Sequence, residues 1–189
     1  WSLALAGSAG RYRHIRDPLL TVLSDVDNTG VLTHAAGRMA GCAVGGTPQP
    51  AATAGVSYFG PKGWGGRLSA GYAGGRYVEP MPLRRTDRIA GQAALTPEAF
   101  EGFTRQERLS DAFTLDASLF RTFYFDRSRL TASLLLRNLT GGRDTVYNGY
   151  ESLRVRRIRS GDATEWMPHA SRRTYAWPRS FYLTVSYRF

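Results

Sequence analysis

Few side chains in this sequence have chemistry to offer, and they lie far apart. Asp25-Val26-Asp27-Asn28-Thr29-Gly30 resembles the opening of an oxygen-ligand cation loop, in which alternating acids surround a hard cation. The bidentate acid that would close such a loop falls at position 36, which is Ala36. Asp25 and Asp27 therefore read as an incomplete cation candidate on a solvated turn. His14, His34 and His169 sit in unrelated stretches, none with a carboxylate or thiol at a meaningful spacing, and no Gly-rich phosphate loop opens a helix. The expectation is no enzyme, no metal centre and no cofactor. Cys42 is the single cysteine, which excludes an internal disulfide and a multi-cysteine metal site and reads as a packed thiol. The run Leu153-Arg154-Val155-Arg156-Arg157-Ile158-Arg159 alternates imperfectly, as in an edge strand kept from aggregating by its charges. It lacks a supporting nucleic-acid module, so no nucleic-acid partner is expected.

The formal net charge of +10 makes polyanions, nucleic acid or lipopolysaccharide, physically possible partners. Of the 25 basic residues only Lys62 is a lysine, a bias that reads as genome composition rather than function. No run approaches the ~18 apolar residues of a transmembrane helix, which leaves a membrane barrel open because its strands carry a weaker signal. With 10 Tyr, 9 Phe, 4 Trp and 21 Gly the mix favours strands and turns. The sequence starts at Trp1 without a Met or a signal-like segment, and reads as a fragment or a mature product.

Period-two alternation then marks the elements. From Phe181 the odd positions are Phe, Leu, Val, Tyr and Phe and the even ones Tyr, Thr, Ser and Arg, running to the aromatic Phe189. A strand is also expected near 1–16, opening on Trp1, Leu3 and Leu5, kinked by Gly7 and Gly10, and ended by Asp17-Pro18. Strands near 51–60 and 64–77 flank the tight turn Gly60-Pro61-Lys62-Gly63. Strands near 112–125 and 128–140 flank Asp126-Arg127-Ser128, and the last strand is near 178–189. Arg121 falls on an apolar face, where an Arg at mid-bilayer would cost roughly 2–4 kcal/mol; it must snorkel to an interface or be turned inward by a bulge.

The connections near 17–50, 78–111 and 141–177 are long and polar. The first has room for one hairpin, the second for a short helix with Thr96 as N-cap and Pro97 at its first position, and the third carries the turn signal Asn148-Gly149. About six long strands joined alternately by tight turns and long loops predict an all-β, antiparallel transmembrane β-barrel segment, with short periplasmic turns and long extracellular loops. Arg67, Ser133 and Arg137 are then lumen-facing candidates for substrate binding.

Asn138-Leu139 after an alternating strand, then Pro178-Arg179-Ser180-Phe181 and the final Tyr187-Arg188-Phe189, resemble the C-terminal end of TonB-dependent outer-membrane receptors. Gly46-Thr47-Pro48-Gln49, Gly74-Gly75-Arg76-Tyr77 and Phe113-Thr114-Leu115-Asp116 are similar to the forms seen in Bacteroidetes members. The resemblance implies a bacterial outer-membrane location and a barrel of roughly 22 strands with a plugged lumen. It implies energy-coupled uptake of a scarce nutrient, whether siderophore, vitamin, glycan or peptide. It also implies that Tyr187 and Phe189 belong to the signal read by the barrel-assembly machinery. The plug domain, and with it the contact to the TonB complex, would lie N-terminal and is expected to be missing here. Outer-membrane lipid, lipopolysaccharide and a surface lipoprotein complete the expected partners. Two other readings remain: a complete small barrel acting as adhesin or pore, if a hairpin within 19–50 raised six strands to eight, and a soluble β-sandwich binding module.

Overall fold

The computed structural model describes residues 1–23, 30–92, 95–142, 145–161 and 163–189. In chain order the strands are β1 (Ser2–Ala9), β2 (Leu19–Leu23), β3 (Val31–Ala36), β4 (Pro50–Phe59), β5 (Trp64–Ala73), β6 (Ala112–Tyr124), β7 (Arg129–Arg137), β8 (Val146–Tyr150), β9 (Val155–Ser160), β10 (Ala163–Pro168), β11 (Arg172–Tyr175) and β12 (Ser180–Arg188). Two short helices, α1 (Asp87–Gln92) and α2 (Pro97–Thr104), lie between β5 and β6. The fold is mostly β, and every ladder between these strands is antiparallel.

Six strands form one sheet in the order β1-β4-β5-β6-β7-β12, so each long strand lies beside its neighbour in the chain. Residues paired across antiparallel strands share a face, which lets the register sort the side chains. One row reads Leu3, Val56, Leu68, Ala117, Leu136, Phe181, all apolar. The next reads Ser2, Ser57, Arg67, Ser118, Leu135, Tyr182, mostly polar. The sheet thus has one apolar and one polar face. Its tight turns follow from local sequence: Lys62 and Gly63 both take positive φ, and a Cβ on Gly63 would strike the Thr122 carbonyl.

The sheet does not close. Its edges are β1 and β12, and no second sheet covers the apolar face among the described residues. The hairpin expected within 19–50 exists as β2–β3, but as a separate two-stranded sheet, so an eight-stranded arrangement is not formed. The first strand stops at Ala9 rather than near residue 16, because the chain turns at Gly10 to hydrogen-bond Gln49 and then pairs Arg13 with Ala43. Asn148-Gly149 makes no turn: both residues lie inside β8, opposite Thr174 and Arg173. The basic run is β9, paired with β10. The Asp25/Asp27 candidate lies outside the described residues.

The buried core is in the connections, which sequence reading treats as solvated loops. Met39, Ala43, Val78, Phe100, Phe103 and Leu109 are buried, together with Arg76, Arg84, Arg85, Thr86 and Glu151. These residues pack into a cap at the end of the sheet away from the tight turns. α2 starts as the sequence predicts, with the Ala99 N–H donating to Thr96 Oγ1 at 3.2 Å, and it buries Phe100 and Phe103. Gln106 acts as a surrogate peptide: its Oε1 accepts from Ala43 N (2.8 Å), while Nε2 donates to the Ala43 and Val78 carbonyls (2.7 and 2.8 Å). At the centre Arg85 makes a two-pronged ion pair with Glu151, one prong of 2.6 Å, with both side chains almost wholly buried.

Removing one member of this pair strands a buried charge. Glu151→Ala is expected to cost the cap about 3–5 kcal/mol, whereas Arg85→Met with Glu151→Leu should cost less, because it strands no charge and leaves only the Thr104 carbonyl and the Met81 N–H without their partners. Protease cleavage within 74–111 and 138–154, followed against urea, separates the two outcomes.

Candidate functional site

The register puts Arg67 and Ser133 on the polar face, Arg67 between Ser57 and Ser118 and Ser133 between Phe120 and Thr184. Arg67 is exposed, and its guanidinium lies across Gly55. Arg137 ends β7 opposite Ser180, beside a cavity of about 520 Å³ that also touches Asp116, Asn138, Tyr147 and Trp177. Arg67 and Ser133 stand in different rows and do not line that cavity.

Asn138 organises this end of the polar face. Its positive φ (51°) turns the chain out of β7, a conformation asparagine tolerates. Its N–H donates to Asp116 Oδ1 (2.8 Å), its Nδ2 to the Trp177 carbonyl (2.9 Å), and its Oδ1 accepts from Thr140 Oγ1 (2.7 Å). The adjoining cavity of about 300 Å³ shares Thr114, Tyr147 and Ala176 with the first. β8 and β11 form the roof of this groove, pinned by Arg76. The Arg76 guanidinium donates to the carbonyls of Val146 (2.6 Å), Tyr147 (3.2 Å) and Ser110 (2.5 Å). Burial pulls Arg76 and Arg84 below the usual guanidinium value.

A second concavity, about 540 Å³, lies where all three long connections meet. The first supplies His14, Asp17 and Met39, the second Glu79 and Met81, and the third Tyr150. His14 Nε2 stands 3.8 Å from Glu79 Oε1, and Glu79 Oε2 accepts from Gly45 N (2.7 Å). Asp17 Oδ1 accepts from the Met39 and Ala40 N–H groups, both at 2.7 Å. Those bonds, Ala40 first, hold the Asp17 carboxyl below its ordinary 3.8. Asp111, at the foot of the cap, is lowered chiefly by the Tyr72 hydroxyl that donates to it (2.7 Å).

Sequence reasoning missed Asp17, Glu79, Tyr150 and Glu151, whose roles come from partners distant in the chain. The histidines are not brought together: His34 Nδ1 lies 3.2 Å from Thr21 Oγ1 in the β2–β3 hairpin, and His169 donates its backbone N–H to the Arg154 carbonyl. No three metal-ligating side chains group among the described residues. The arrangement is suited to non-covalent binding by hydroxyl, aromatic and charged groups.

Tyr187 and Phe189 fall on the apolar face, Tyr187 opposite Leu130, with ring centroids 6.2 Å apart. Arg121 is on the same face, in register with Trp64 and Ala132 and without a bulge. Its guanidinium sits 4.8 Å from the Trp64 ring centroid and 4.4 Å from that of Phe123, at the tight-turn end.

Because its folded pKa is depressed, Asp17 stabilises the 39–40 turn fully above its unfolded pKa, and that contribution is lost as pH falls through the folded value. Amide-exchange protection of Met39 and Ala40 should therefore fall in the wild type as the pH is lowered from neutral through and below the ordinary carboxylate range. Asp17→Asn should show reduced protection throughout.

Comparison with protein-family models, with curated proteins and with solved structures finds no match for this chain.

Proposed function

We propose that this chain is part of the barrel wall and outer loops of a TonB-dependent outer-membrane receptor, a transporter for energy-coupled uptake of a scarce nutrient. The observation that carries the reading is the sheet with one apolar face, whose tight turns all lie at one end and whose long connections fold together at the other. In water such a sheet is unstable: Leu3, Leu5, Phe181, Leu183 and Val185 are each more than half exposed. A bilayer removes that cost.

The dimensions agree with a membrane span. From Phe113 to Phe123 on the apolar side of β6 is ten residues, about 33 Å of strand, or ~25 Å of height at a tilt of ~40°. Aromatic residues mark both ends of this band, Tyr72 and Phe113 near the cap, Trp64, Tyr58 and Phe123 near the turns. The two unpaired edges, β1 and β12, leave backbone groups that hydrocarbon cannot satisfy, and further strands of a larger barrel would pair them. On this reading Arg67, Ser133 and Arg137 face the lumen, the groove under β8 and β11 opens into it, and the pocket of His14, Glu79 and Tyr150 faces the outside. Tyr187 and Phe189 serve the assembly machinery, and the TonB complex acts through a plug domain outside this sequence.

Leu68 stands midway between Trp64 and Tyr72 on the apolar face, and Ser69 is its neighbour on the polar one. Leu68→Arg should cost about 2–4 kcal/mol of stability in lipid vesicles. Ser69→Arg should stay within ~0.5 kcal/mol. In single-Trp variants, brominated acyl chains should quench Trp64 and spare Trp166. Equal costs, or a chain that is monomeric and folded without detergent, would end the proposal.

A further inference from the structure

Beyond β8 and β11 the third connection continues as an arm, the β9–β10 ribbon. Its six-residue strands make it about 20 Å long. Its base is fixed: Glu151 is buried against Arg85, His169 N–H bonds the Arg154 carbonyl at 3.0 Å, and Arg173 pairs with Glu107. The arm carries Arg154, Arg156, Arg157 and Arg159, all exposed, against Glu165 as its acid among the described residues. None of the four arginines makes an ion pair among the described residues. On the cap, by contrast, Arg38, Arg108 and Arg173 are each tied to a carboxylate. Four like charges on a two-stranded ribbon repel one another, a cost that a bound anion removes.

The register refines the chemistry. Arg157 and Arg159 share one face, about 7 Å apart, opposite Trp166 and Thr164. The Arg157 guanidinium lies 5.7 Å from the Trp166 ring centroid, which holds its planar fork in place. Arg156 is on the other face opposite Met167, and Val155, Ile158 and Pro168 stand among the charges. Guanidinium forks match phosphate oxygens two at a time. Apolar and Trp side chains set between them suit the headgroup zone of a lipid surface more than the edges of bases.

We propose that the β9–β10 arm docks the phosphate groups of an anionic glycolipid, namely lipopolysaccharide, through Arg156, Arg157 and Arg159. This rests on the reading of the cap end as the outer face of an outer membrane. The test is titration of the full chain in detergent micelles with lipopolysaccharide and with the same material stripped of phosphate. At about a factor of five per arginine, the R156Q/R157Q/R159Q variant should bind about a hundredfold more weakly, and R159Q alone about fivefold. Wild type should bind the dephosphorylated material as weakly as the triple variant binds the intact one. K62Q/R127Q/R129Q, which removes as much charge at the tight-turn end, should bind like wild type. The docking proposal is overturned by equal binding of the arm variants and wild type, by equal binding of both lipopolysaccharide forms, by an equal loss in the tight-turn variant, or by tighter binding of a duplex oligonucleotide. Phosphate-dependent binding by a chain that fails to insert into vesicles would overturn the barrel-wall reading and leave the phosphate site standing.

Discussion

Arg85 and Glu151 belong to different long connections, yet their carboxylate and guanidinium meet where almost no surface reaches water. Removing both charges from water costs several kcal/mol per ion, a debt that mutual attraction alone does not cover. The remaining donors and acceptors are therefore used: Arg85 also donates to the Thr104 carbonyl at 2.6 Å, and Glu151 Oε2 accepts from Met81 N at 3.0 Å. Each of these bonds constrains another piece of chain. Met81 leads into the turn that carries Arg84 and Arg85, Thr104 ends α2, and Glu151 stands at the root of the arm. The connections hold one shape because few other placements satisfy these buried groups.

The same logic runs outward through the cap. Gln106 bonds backbone groups of two connections, Arg76 bonds three carbonyls, and Asp17 bonds two amides. Apolar burial contributes through Phe100 and Phe103, with Arg38 and Arg84 lying over their rings at 5.1 and 4.8 Å. The cap is thus held largely by hydrogen bonds and ion pairs between its connections, and the sheet by its ladders. That division agrees with a protein whose apolar side chains face outward. Residues that would fill a water-soluble core are committed to the sheet surface, so the cap is built from buried arginine, glutamine and carboxylate.

The sheet was legible in the sequence because alternation is a local property. Phe181 to Arg188 declares its two faces without reference to any partner, and Thr96-Pro97 declares a helix start. The cap was not legible, because a bond between residues 66 apart, as Arg85 and Glu151 are, has no periodic signature. The length of β1 was over-read for the opposite reason: alternation persists through Tyr12 and His14, but their backbone groups go to Val44 and Cys42 instead of β4. Asn148-Gly149 carries turn chemistry that tertiary context overrides, since β11 supplies a partner strand. Of the candidate site, alternation reaches the face that Arg67 and Ser133 share, and it is silent on Asp17, Glu79 and Tyr150.

Arg121 ties the two halves of the molecule to one boundary. A charged side chain on an apolar sheet face is tolerated where its head can leave the hydrocarbon or meet a π face. Arg121 does the second, between Trp64 and Phe123, one strand rung from the tight turn at Gly63. The intact register through Arg121 rules out the bulge that would have turned it inward. A level set by Trp64, Tyr58 and Arg121 at one end and by Tyr72 and Phe113 at the other gives the sheet two parallel borders. The ordered cap begins directly beyond the second: Tyr72 donates to Asp111, and Asp111 accepts from the Gly75 N–H at 3.2 Å. On the proposed reading this pair stands at the outer membrane interface, where it couples the last aromatic of the span to the first turn of the cap. The height of the sheet in the bilayer and the position of the cap are then set by the same residues.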